Sequence, residues 1–114
     1  MITTDLNLVK KELIKGEPVA IPTETVYGLA ANAFKATSVD KIFHLKQRPA
    51  NNPLIVHIPN SEFLSKIACE IPESAKRLAS AFWPGALTMV LPRKKDCHVS
   101  LLTSAGLDTL AVRI

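Results

Sequence analysis

Glycine is scarce in this chain of 114 residues, and its four copies, Gly16, Gly28, Gly85 and Gly106, lie too far apart to assemble a G-x-G-x-x-G turn or a Walker loop. Any nucleotide handled here is handled by other means. Cysteine is nearly absent: Cys69 and Cys97 make no disulfide framework, which predicts two free thiols in a reducing compartment. Joined with His44, His57 and His98 they supply neither a Cys-x-x-Cys nor a His-x-x-x-His pair, so no metal site is expected. Long apolar runs are missing too. None approaches ~18 residues, and the first twenty residues, broken by Asp5, Lys10, Lys11, Glu12 and Lys15, lack the apolar centre of a signal peptide. A cytoplasmic protein without a membrane partner is the expectation. Aromatic residues are few, and Phe34, Phe43, Phe63, Phe82 and Trp83 fall at core spacing without forming a row of stacking platforms.

What is present is the composition of one globular domain, 47% hydrophobic and 21% charged, in a chain long enough to bury about two-thirds of its unfolded surface. Fourteen cations against ten anions leave a net charge of +4, which leans towards nucleotides, phosphates or RNA as partners.

Leu6, Val9, Leu13 and Ile14 recur at helical spacing, with Thr4 available as a cap and Gly16 just past the end. Val19-Ala20-Ile21, stopped by Pro22, reads as a strand in a sheet interior, followed by a turn with a short helix over Thr23 to Asn32. Ser38 is placed to cap a second helix in which Val39, Ile42, Phe43 and Lys46 share a face, closed by Pro49. Leu54 to Ile58 is a second strand. Helices are predicted over Ser61 to Ala68 and Pro72 to Trp83, then strands over Ala86 to Leu91 and Thr109 to Ile114. Interleaved strands and helices predict an α/β fold with an open, partly parallel sheet flanked by helices. A stop in the middle of an apolar strand pattern predicts a single domain, 1–114, that is incomplete at its C-terminal end.

Chemistry concentrates in four places. Pro22-Thr23-Glu24-Thr25-Val26-Tyr27-Gly28 sets hydroxyls, a carboxylate and a phenol directly after a strand, where α/β sheets bind ligands. Thr23 and Thr25 either dock a polar ligand or simply satisfy the turn. Lys46 and Arg48 would point about 200° apart on a continuing helix, but Pro49 frees Arg48 to converge with Lys46 on a polyphosphate. The alternative is a solvated helix end that complements the dipole. His57 shares a strand face with Ile55, opposite Leu54, Val56 and Ile58. Arg113, beside Thr109 and Ala111 and opposite Leu110, Val112 and Ile114, looks like the floor of a carboxylate or phosphate pocket, or else one half of an edge ion pair. Arg93-Lys94-Lys95 reads as a solvated loop or a contact to an RNA backbone.

Taken in order, PTETVYGLAANAF at 22–34, KQRPANNPLIVHI at 46–58, WPGALTMVL at 83–91 and GLDTLAVRI at 106–114 resemble the YrdC family. The resemblance covers about residue 18 onwards, with small departures such as Ala86 where relatives often carry proline. It implies an open twisted α/β sheet around a basic concave cavity, and a nucleotidyltransferase that makes threonylcarbamoyl-AMP from L-threonine, bicarbonate or CO2, and ATP, with Mg2+ and release of pyrophosphate. By the same resemblance Thr23, His57 and Arg113 hold threonine, while Lys46 and Arg48 meet the ATP phosphates as the catalytic cations. Tyr27 and Pro53 lie in matching motifs without an assigned contact. The family's nucleotide site is completed by a Ser-x-Asn motif in a later segment, and no Ser-x-Asn occurs in these 114 residues. The product serves tRNA modification, which implies partner enzymes of that pathway. Two other readings remain: a non-catalytic module binding tRNA or double-stranded RNA in the same cavity, and carbamoyl transfer in hydrogenase maturation, where YrdC-like domains also occur.

Overall fold

The computed structural model describes residues 1–114 throughout. Helix α1 spans Leu6–Lys15 and is capped by Asp5, whose carboxylate accepts the Asn7 N–H, rather than by Thr4. It ends as expected on Gly16 in the left-handed region, φ 94°. Strand β1 (Val19–Ile21) then pairs antiparallel with β2 (Gly28–Ala30), Val19 opposite Ala30 and Ile21 opposite Gly28. Two expectations are corrected here. β1 lies in a two-stranded ribbon with Ala20 exposed, not in a sheet interior, and the predicted short helix after Thr23 is replaced by a turn and β2. Three residues with glycine first carry no periodicity of their own, and pairing with β1 decides their conformation.

Helix α2 (Ala36–Lys46) starts from Lys35, one turn earlier than a Ser38 cap would place it. Ser38 is instead fully buried in the first turn. Val39, Ile42 and Phe43 form the buried face, as spacing predicted. The helix stops because Gln47, φ 50°, turns left-handed, its N–H donating to the His44 carbonyl at 3.1 Å and the next N–H, of Arg48, to the Phe43 carbonyl at 2.9 Å. Pro49 therefore lies beyond the break and does not cause it.

Strand β3 (Ile55–His57) runs parallel to β5 (Thr109–Arg113), which also pairs antiparallel with β4 (Met89–Pro92), giving a mixed sheet of order β3-β5-β4. Between β3 and β4 lie a 3-10 turn at Ser61–Phe63, the short α3 (Leu64–Ile67) and α4 (Glu73–Phe82). A further 3-10 turn, Leu101–Ser104, was not foreseen. Val56, Ile67, Leu91, Leu110 and Val112 close the main core against Ala75, Ala79 and Trp83 of the α4 segment. Of the aromatics expected inside, Phe43 and Trp83 are buried, but Phe34 and Phe82 are half exposed. No helix is long and apolar enough to cross a membrane. Both cysteines are free thiols.

Alternation along β5 decides the site. Leu110 and Val112 point into the core at 1% and 0% exposure, so Arg113 must emerge on the other face.

Candidate functional site

The turn after β1 is closed by one hydroxyl. Thr23 Oγ1 accepts the Val26 N–H at 3.2 Å and the Thr25 N–H at 3.4 Å and donates to the Val26 carbonyl. The bland reading of Thr23 thus holds, yet the same residue lines a cavity of about 510 Å³ between the β1–β2 ribbon, α2 and β3. Lys46, Arg48 and His57 line it too, with Gly28, Pro53 and Thr103. Four of the five residues singled out by their motifs therefore share one hollow. Its remaining walls are mostly apolar: Ile21, Leu29, Val39, Ile42, Leu54 and Phe63. Tyr27 is largely exposed and does not line the cavity.

Arg48 leaves the helix through the left-handed Gln47 and turns back over the next loop. Its Nε–H donates to the Asn52 carbonyl at 3.2 Å and an Nη2–H donates to the Pro53 carbonyl. The guanidinium is thereby fixed by the backbone it must stabilise, with its remaining donors available. Lys46, exposed on the last turn of α2, keeps its flexible stem and makes no ion pair. A held fork beside a mobile point charge suits an anion with several oxygens.

Arg113 is not among the residues lining that cavity, but it stands next to it. Parallel pairing sets His57 opposite Arg113 in register, so the two side chains leave adjacent strands on one face. Arg113 donates Nε–H to Thr88 Oγ1 at 2.8 Å and Nη1–H to Glu24 Oε1. Motif reasoning counted the Glu24 carboxylate in the turn but gave it no role of its own, and it passed over Thr88. Glu24 is adjacent to Thr23 in sequence, but its partner lies 89 residues away, and nothing local could reveal that pairing.

The charges here are ordered. Backbone hydrogen bonding holds the Glu24 carboxyl below its ordinary value of 4.5, assisted by Arg113 and opposed by partial burial. Desolvation pulls His57 below 6.5, with Arg113 acting in the same sense and Glu24 against it. At neutral pH the group therefore reads Glu24 anionic, Arg113 cationic and His57 neutral, which can both donate and accept a hydrogen bond.

A turn of hydroxyls, a strand histidine and a pair of helix-end cations thus line one concavity, with a strand arginine in register beside it. Residues 11–114 match the Sua5/YciO/YrdC family, described as telomere recombination, and the chain belongs to that family. It is 54% identical over 100 residues to the threonylcarbamoyl-AMP synthase of Pyrococcus abyssi, covering 88% of this chain and 29% of that protein. To the threonylcarbamoyl-AMP synthase of Bacillus subtilis it is 51% identical over 102 residues, covering 90% of this chain and 29% of the relative. The crystal structure of P. abyssi Sua5 complexed with L-threonine is similar at a TM-score of 0.91 and 50% identity, over 96% of this chain and 32% of that one. This chain thus spans less than a third of the length of these relatives.

Proposed function

We propose that this chain forms the threonine-binding and phosphate-binding part of a threonylcarbamoyl-AMP synthase. The observation that carries the reading is the convergence of Thr23, Lys46, Arg48 and His57 on one cavity, with Arg113 in register beside His57. Membership of the family and the names of the two synthases support it. In this reading Arg113 takes the carboxylate of L-threonine, Thr23 and His57 take its hydroxyl, and Lys46 and Arg48 face the phosphates of ATP. The threonine amine combines with carbon dioxide or bicarbonate to give a carbamate, whose oxygen attacks the α-phosphorus and expels pyrophosphate. The chain's part in this is positioning and charge neutralisation, which needs no covalent intermediate. No carboxylate lines the cavity and no three His, Cys, Asp or Glu side chains converge, so the donor set does not fit a protein-held Mg2+. Magnesium enters this reading only as the ion that ATP brings with it.

The test is direct. A full-length synthase carrying these residues should release pyrophosphate from ATP only when threonine and bicarbonate are both present, and the chain itself should bind L-threonine by calorimetry. ATP turnover indifferent to threonine would overturn the reading. Salt-steep affinity for tRNA without any small-molecule binding would replace it with an RNA-binding module.

Arg48→Ala should weaken ATP binding by about tenfold or more, the loss of a charge-assisted contact worth ~1.5 kcal/mol or above, with threonine binding little changed. Calorimetry with each ligand separately checks this. An equal loss for both ligands would argue against separate subsites.

A further inference from the structure

Glu24 and Arg113 hold one another without exhausting one another. Arg113 spends Nε on Thr88 and Nη1 on Glu24 Oε1, while no further side chain bonds its Nη2 or the Glu24 carboxylate, which is otherwise held by backbone hydrogen bonding. The two side chains are 15% and 26% exposed, so the pair is reachable yet only partly hydrated. A cationic edge directly beside an anionic edge, neither covered by a further side chain, is the electrostatic inverse of an α-amino acid, whose carboxylate and ammonium sit on neighbouring atoms.

We propose that Glu24 receives the α-ammonium of the bound amino acid while Arg113 receives its carboxylate, making Glu24 the residue that selects an amino acid over a hydroxy acid of the same shape. The inference deepens the threonine reading and rests on it. Thr23 supports it mechanically, since its hydroxyl closes the turn from which Glu24 projects. His57 supports it electrostatically. As a neutral ring it adds no second cation to compete for the carboxylate of Glu24.

The probe is a ligand pair differing only in the amine: L-threonine and 3-hydroxybutyrate, titrated by NMR into the wild-type chain and into Glu24→Gln. Glu24→Gln should weaken L-threonine by about tenfold or more, the range of a lost hydrogen bond to a charged group, and leave 3-hydroxybutyrate within about twofold. Glu24→Asp, which keeps the charge, should retain most of the threonine affinity. Thermal melts of both variants show that the fold persists.

Equal weakening of both ligands would mean that Glu24 acts only by steadying Arg113, and would overturn the proposal. Tighter binding of either ligand would make Glu24 a competitor for Arg113, with the same consequence. No change for either ligand would also refute it. Failure of wild-type protein to bind threonine at all would instead strike the threonine reading itself.

Discussion

Arg113→Ala should lower the affinity for L-threonine by about a hundredfold or more, because in the proposed reading it removes charge-assisted hydrogen bonds to the carboxylate, each worth ~1.5–3 kcal/mol. The position leaves no substitute. Arg113 is the residue of β5 that leaves the buried face immediately after Val112, and its register partner is the neutral His57. Loss of the guanidinium would also strand the Glu24 carboxylate and free the Thr88 hydroxyl, so the turn after β1 would lose its tie to the sheet. Arg113→Lys is the informative companion. A lysine keeps the charge but cannot hold Thr88, Glu24 and a carboxylate in one plane, so it should recover only a minor part of the affinity. Calorimetry with threonine and ATP separately decides the matter. ATP binding should be nearly unchanged, and a parallel loss of both ligands would show that the variant had damaged the whole hollow.

Much of this site could be read from sequence because strands announce their faces. Alternation in Leu110-Ala111-Val112-Arg113 and in Leu54 to Ile58 put Arg113 and His57 on accessible faces, and burial of Leu110, Val112, Val56 and Ile58 agrees. Helix α2 was legible for a similar reason, its apolar residues Val39, Ile42 and Phe43 falling at helical spacing on one face. What stayed hidden was set by contacts distant in the chain. Strand β2 exists because β1 lies beside it, and Glu24 has an ion-pair partner because β5 arrives 89 residues later. The exit of Arg48 was anticipated for a different reason from the one observed. Proline chemistry at 49 suggested it, while the left-handed Gln47 accomplishes it, a conformation that residue type does not advertise. Ser38 misled in the opposite direction: a good capping residue was drawn inside by its neighbours Val39 and Ile42, leaving its hydroxyl without a partner.

Leu110→Ala should be the most damaging single change to the fold, and it should spare the site. Leu110 is 1% exposed on the central strand of the β3-β5-β4 sheet, inside the cluster that includes Val56, Leu91 and Val112. Truncation there loses the transfer free energy of the side chain and leaves a cavity, together about 3 kcal/mol. In a domain of this length that corresponds to a fall in Tm on the order of 10 °C. Leu101, 61% exposed, provides the contrast, because its truncation should cost within about 0.5 kcal/mol. The two faces of β5 make the expectation sharper. Leu110 points away from Arg113, so at a temperature where the variant remains folded its threonine affinity should match that of the wild type. A melting shift under about 2 °C, far below what a cavity of this kind costs, would show that the strand is not the centre of the core. A large loss of affinity in the folded variant would show instead that the packing beneath β5 sets the position of its arginine.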